Sequence, residues 1–193
     1  AGRGARNLLY LTIGTGIGGG VISEGRLLLG KSGLAAELGH MQSQDSSVRC
    51  GCGQYGHLEA VAAGPAIARA ARRRLMEGEP SALRRLKGAP EAVTTQDVGR
   101  AALQGDALAR SVLEEAGSAI GRHLASLVHA FDPEVIVLGG GVSLIGPLFF
   151  EPIERALRTH IMHPAYLEGL RLAPAELGDE AGLIGAMILA RDL

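Results

Sequence analysis

Two thiols and two imidazoles crowd one glycine-punctuated stretch of the chain, ELGHMQSQDSSVRCGCGQYGHLE (37–59). It holds both cysteines, Cys50 and Cys52, and two of the six histidines, His40 and His57. Thiolate sulfur and imidazole nitrogen are donors that zinc accepts, and four of them close a tetrahedral, structural site. Gly51, Gly53 and Gly56 let the backbone fold tightly around an ion. The C-x-C spacing is closer than the common C-x-x-C, so a plainer reading stands beside this one: a surface loop with incidental thiols and solvated histidines. The clustering of all four donors counts against it. Glu37 and Glu59 bracket the donors, and a Cys2His2 ion needs neither. Ionised carboxylates accept hydrogen bonds strongly, which suits a ligand with several hydroxyl groups. Glu59 also has a plain explanation, as the acidic first-turn residue of a helix starting near Leu58.

Two further loops are built from glycine. GTGIGGG (14–20) sits between apolar runs. Around Gly14 and Gly16, missing side chains let backbone N–H groups approach phosphate oxygens, and the Thr15 hydroxyl adds a donor. No Lys-Ser or Lys-Thr follows, so this is not a Walker loop. A strand rather than a helix follows, so it is not a dinucleotide fingerprint either. A simple hairpin turn would give the same pattern. LGGG (138–141) follows a buried apolar run, so a nucleotide could lie against Gly139, Gly140 and Gly141. That signal is weak by itself.

The elements around these loops follow from period and punctuation. NLLYLTIG (7–14) reads as a buried strand. GGGVISEGRLLLG (18–30) offers a second strand, a turn at Glu24-Gly25 and a third short strand, together an antiparallel meander. The polar section 30–57 is a long loop, of a length that compact domains usually reserve for function. Helical spacing begins at Leu58, with a break near Gly64-Pro65, and a short helix is expected at 81–87. Thr94 or Thr95 caps a helix ending near Gly105, and Asp106 caps the long helix that follows. DPEVIVLGGG (132–141) reads as turn, buried strand and loop. A helix over 147–160, a strand within LEGLRLAPAEL and a closing helix complete an α/β chain.

Composition narrows the classes. Hydrophobic residues make up 47% and charged residues 20% of 193 positions, which describes a globular chain with a real core. A net charge of −1 leaves no electrostatic footprint for nucleic acid or membrane. The basic run Arg69, Arg72, Arg73 and Arg74 is expected to be a solvated helix face, and His123 and His129 to lie at a core edge or an interface. Two cysteines one residue apart cannot staple a fold, so a reducing cytoplasm is the expected home. AGRGARNLLYLTIG imitates a signal peptide but runs into a tight turn. VIVLGGGVSLIGPLFF (135–150) is interrupted by glycines and Pro147 and is too short to span a membrane.

Taken together, these segments resemble the ROK family of bacterial glucokinases, N-acetylmannosamine kinases and sugar-responsive repressors. LTIGTGIGGGVISEGRLLLG is similar to its phosphate-binding hairpin, and ELGH with CGCGQYGHLE to its sugar-and-zinc loop. DPEVIVLGGGVS is similar to its nucleotide-side strand, and GDEAGLIGAMILA to its closing helix. The resemblance implies an actin-like (ribonuclease H-like) α/β lobe, its mixed sheet flanked by helices. It also implies that Glu37, His40 and Glu59 bind hydroxyls of a hexose or N-acetylhexosamine. His40 would ligate a structural zinc ion with Cys50 and Cys52. Position 57 departs from the pattern, which usually has a third cysteine there; imidazole can replace thiolate, so a Cys2His2 set with His57 is expected. Gly14, Thr15 and Gly16 would face the phosphates of ATP, accompanied by Mg2+, and Gly139 to Gly141 would line the adenine side.

The family's kinases also have an N-terminal lobe with a first phosphate loop and the catalytic aspartate. Asp45, Asp97, Asp106, Asp132 and Asp179 all fall in other contexts. The expectation is therefore that residues 1–193 form the C-terminal lobe of a two-lobed sugar kinase, with 30–59 as its sugar and zinc loop. A homodimer is implied as well. The competing reading is the sugar-sensing lobe of a repressor, the one case that would bring in nucleic acid. A zinc-stapled interaction domain comes last, because it leaves the glycine loops unexplained.

Overall fold

The computed structural model describes residues 1–43, 47–87 and 89–191. Asp45 and the middle of the 30–59 loop lie outside the described residues, as does the side chain of Asp179. Five strands are present: β1 (Leu8–Ile13), β2 (Ile17–Ser23), β3 (Arg26–Leu27), β4 (Val135–Gly139) and β5 (Arg171–Pro174). The helices are α1 (Leu58–Ala62), α2 (Gly64–Met76), α3 (Leu83–Lys87), α4 (Thr95–Leu103), α5 (Ala107–Phe131), α6 (Pro147–His160) and α7 (Ala181–Arg191). The sheet order is β3-β2-β1-β4-β5. The first three strands form the expected antiparallel meander, while β4 and β5 run parallel to β1. The architecture is thus α/β with a mixed sheet, and a helix crossover joins each parallel pair.

Burial explains which strand goes where. In β1 the side chains alternate, with Leu9, Leu11 and Ile13 fully enclosed and Leu8, Tyr10 and Thr12 only half-buried. The enclosed set, together with Ile136 and Leu138 of β4, packs into one core with Ile67, Leu75, Leu113, Ile120 and Phe149 from the helices. β4 lies between two parallel neighbours and is buried along its whole length, which is why its sequence is an unbroken apolar run.

The aspartates serve helix ends. Asp97 forms a capping box with Thr94 at the start of α4, and the Asp106 carboxylate accepts the amide of Ala109 at the start of α5. Asp132 ends α5 in the left-handed region at φ 43°. The spine of the helical layer is α5 against α6. At Gly117 and Gly121 the two helices meet so closely that a Cβ would strike Pro152 and the Ile153 carbonyl.

The basic run is only in part the solvated face expected from sequence. Arg69 donates to the Ala60 carbonyl, Arg72 to the Val93 carbonyl, and Arg74 to Glu79 and Glu115. Arg69 and Arg73 are exposed, whereas Arg72 and Arg74 are partly buried. Three arginines therefore tie α2 to its neighbours.

Leu11 is central to the layer that supports everything else. Leu11→Ala is expected to cost about 2–5 kcal/mol, seen as a lower urea midpoint with an unchanged slope.

Candidate functional site

The turn that carries Glu37 and His40 is a short 3-10 segment, Leu38–His40, seated directly on β2. Two glycines permit that contact. A Cβ on Gly39 would collide with the Ile17 carbonyl, and one on Gly19 would lie 2.6 Å from the Leu38 side chain. Some of the glycine richness of GTGIGGG therefore serves to seat this turn. On its other side the turn meets His123 of α5. That imidazole is 6% exposed, makes a hydrogen bond with the Leu38 backbone, and leaves Nε2 enclosed with no partner. Burial holds it below the usual histidine range, and the bond to Leu38 opposes this only in part. Sequence placed His123 and His129 at a core edge or an interface. His123 is in the core, while His129 accepts the amide of Met162 at 3.1 Å.

From His40 the chain folds back on itself as a small knuckle. Isolated bridges pair Gln42 with His57 and Arg49 with Tyr55. The Cys50 amide donates to the Gln54 carbonyl at 2.7 Å and the Gly53 amide to the Cys50 carbonyl at 3.0 Å. Gly53 and Gly56 have φ values of 94° and 76°, which side chains other than glycine rarely adopt. These turns bring four donor atoms, from His40, Cys50, Cys52 and His57, within 4.8 Å of one another.

The spacing fits a tetrahedral ion. Zinc–nitrogen bonds of about 2.0–2.1 Å and zinc–sulfur bonds of about 2.3 Å put two nitrogens roughly 3.3 Å apart, and nitrogen and sulfur roughly 3.5 Å apart. Here Nδ1 of His40 lies 3.2 Å from Nδ1 of His57. Cys52 Sγ lies 3.3 Å from His57 Nδ1, and Cys50 Sγ lies 3.8 Å from His40 Nδ1. Cys50 is buried and Cys52 exposed, and burial pushes the Cys50 thiol up. Among the described residues this is a complete four-donor set for a structural ion.

The carboxylates are placed differently. Glu59 sits in the first turn of α1, as its plain explanation required, yet its side chain turns inward. Oε2 accepts the Ile17 amide at 2.9 Å, and Oε1 faces the Cys50 thiol at 3.6 Å. Glu37 precedes the turn and is exposed, free to meet a ligand arriving from solvent.

At the hairpin that Glu59 holds opens a cleft of about 1120 Å³. Gly14 and Thr15 border it, as do Gly141, Gly64-Pro65 at the start of α2 and Thr95 at the start of α4. Helix N-termini favour negative charge, so this wall suits phosphate groups. Leu103, Leu144 and Ile145 give the far wall an apolar surface.

Of the residues singled out in sequence, Gly14, Thr15 and Gly141 border this cleft, whereas Gly16 packs against Glu59. Gly139 and Gly140 serve packing. A Cβ on Gly139 would lie 2.7 Å from the Tyr10 hydroxyl, and one on Gly140 would collide with the Ile13 carbonyl. The start of α2 and the Thr94-Thr95 cap went unrecognised in sequence as cleft elements. A hydrogen bond from Thr95 to the Gly64 carbonyl and one from the Gly64 amide to the Gly14 carbonyl join them to the hairpin. Only tertiary contact reveals that link.

Known proteins are similar to this chain in sequence and in fold. The sequence profile of the ROK family matches residues 1–193. The chain belongs to the ROK family. It is 36% identical over 192 residues to a glucokinase of Thermotoga maritima, covering 100% of this chain and 60% of the relative. It is 32% identical over 189 residues to the DNA-binding transcriptional repressor Mlc of Escherichia coli, covering 98% of this chain and 45% of that protein. A ROK family glucokinase from Streptomyces griseus, solved in complex with glucose and AMPPNP, superposes with a TM-score of 0.88 at 35% identity. That match covers 100% of this chain and 63% of that one. Against the Thermotoga glucokinase, then, the chain spans 60% of the relative's length. Among the described residues no helix is long and apolar enough to cross a membrane.

The donor geometry of this ROK chain predicts its metal behaviour. Cys50→Ser is expected to weaken zinc binding by more than about tenfold, the lower end of what even outer-shell losses cost, measured by competition with a chromophoric chelator. The Cys50 thiol must lose a proton to bind, and burial makes that proton harder to lose. Affinity should therefore rise with pH from about 6 to about 8, with protons released on loading.

Proposed function

We propose that this chain supplies the sugar, zinc and phosphate contacts of an ATP-dependent hexose kinase of the glucokinase type. The observation that carries the reading is the adjacency of two unlike surfaces. Glu59, whose contact with Cys50 ties it to the donor cluster of His40, bonds the hairpin whose Gly14 and Thr15 border a cleft of glycine backbone and helix N-termini. Glu37 stands exposed on the same turn as His40. Carboxylates with an imidazole suit a polyhydroxyl ligand, and the cleft suits a polyphosphate. Similarity to glucokinases over the whole chain supports the same assignment.

In this reading Glu37, His40 and Glu59 accept and donate hydrogen bonds to sugar hydroxyls. Thr15, flanked by Gly14 and Gly16, meets the terminal phosphate of ATP, and the apolar wall at Leu144 and Ile145 takes the base. His40, Cys50, Cys52 and His57 would hold zinc, whose contribution is to fix the shape of the loop rather than to react. Mg2+ would enter with ATP and offset phosphate charge. Phosphoryl transfer also needs a base beside the attacking hydroxyl. Glu37 and Glu59 are committed to binding, so we assign the base to the part of such proteins that this chain does not span. A homodimer belongs to the proposal through family resemblance.

Similarity to the repressor Mlc favours one alternative, in which the same sugar surface serves as a sensor and no phosphate is transferred. The two readings part on turnover. The full-length protein is expected to phosphorylate a hexose with ATP in a coupled assay. There Glu37→Gln should lower kcat/KM by about 10- to 100-fold, the worth of one hydrogen bond to a charged group. Residues 1–193 alone should transfer almost nothing. Full-length protein that binds sugar and operator DNA without consuming ATP would establish the sensor instead.

A further inference from the structure

Glu59 touches both halves of the site at once. Its Oε2 holds the amide of Ile17, the first residue of β2 and the closing end of the Thr15 hairpin. Its Oε1 meets the thiol of Cys50, one of the four metal donors. The side chain has little room to move: a Cβ on Gly16 would collide with Oε2, so hairpin and carboxylate are in direct contact. Its backbone is held too. The Leu58 amide donates to the Met41 carbonyl at 3.1 Å, and the Ala63 amide to the Glu59 carbonyl at 3.2 Å.

We propose that Glu59 is a positioning residue that transmits occupancy of the metal site to the Thr15 hairpin. The inference rests on the reading of His40, Cys50, Cys52 and His57 as metal ligands. The two carboxylate oxygens belong to one rigid plane, so a change at Oε1 is felt at Oε2. An ion bound through the Cys50 sulfur replaces the hydrogen that Oε1 accepts in the metal-free chain. Released from the thiol, the carboxylate no longer shares its charge with a second donor, so its bond to the Ile17 amide strengthens and Oε1 is open to an incoming hydroxyl. Metal, sugar and phosphate contacts then share one side chain. Coupling between bound states is reciprocal, so a better-seated hairpin also tightens hold on the metal. His57, a donor two residues from Glu59 on the same stretch of backbone, reinforces the link by fixing the start of α1.

The test reads the hairpin without nucleotide, sugar or turnover. Amide hydrogen exchange of the intact protein is followed at Ile17, with and without one equivalent of zinc, while bound metal is counted. Zinc is expected to slow exchange at Ile17 by about 3- to 10-fold, the range one such hydrogen bond supports. Glu59→Ala should abolish the response while zinc still binds, and Gly16→Ala, which displaces the carboxylate from the hairpin side, should do the same. Glu59→Gln keeps an acceptor for Ile17, but its amide would donate to the sulfur with or without the ion, so the response should be lost while zinc still binds. Bound zinc with unchanged exchange at Ile17 in the natural sequence overturns the coupling and leaves the metal site standing. A response that survives in Glu59→Ala overturns it equally. Failure to bind zinc at all overturns the metal assignment, and this inference with it.

Discussion

Everything in the site depends on a backbone resting on a backbone. The turn at Leu38–His40 lies against β2, its backbone at Gly39 on the Ile17 carbonyl and its Leu38 side chain on Gly19, because neither glycine brings a side chain to the contact. That seat fixes the height of His40 above the sheet, and His40 in turn anchors one corner of the four-donor cluster. Glu37 leaves the same turn toward solvent. From beneath, His123 closes the stack as a buried imidazole against the Leu38 backbone. Sheet, turn and longest helix thus form three layers whose spacing sets the positions of the reactive groups. Longer side chains at the two glycines would add more than bulk; they would lift the donors out of register with Cys50 and Cys52.

Much of this was legible in the residues themselves. The meander, the isolated strand β4, the caps at Thr94 and Asp106 and the order of the helices follow from period and punctuation. The four donors announced themselves by chemistry, because so few thiols occur and both fall beside two histidines. Other features depended on distance in space. Gly139 and Gly140 read as nucleotide contacts, yet their missing side chains are needed for close approach to Tyr10 and Ile13. Gly19 likewise read as part of a phosphate loop and instead seats Leu38. A glycine in sequence says that room is needed without saying what fills it. The arginine run was partly misjudged for a related reason: long side chains that look solvated along a helix can reach carbonyls of elements far away in the chain.

Glu59 shows how one residue can have a plain explanation and a functional one together. Its position is that of a first-turn acid favoured by the helix dipole, and its side chain still turns inward to the hairpin and the thiol. In the proposed kinase reading, this carboxylate lies where polyhydroxyl and polyphosphate ligands would meet. Binding surfaces for two substrates need not be joined by any single group. Here one carboxylate touches both the hairpin and a donor of the four-residue cluster.

The contact between α5 and α6 has a mechanical meaning. Where helices cross at Gly117 and Gly121 without intervening side chains, neither can slide or roll past the other. The pair therefore acts as a chassis. The elements bordering the cleft are carried on that pair rather than inserted into it.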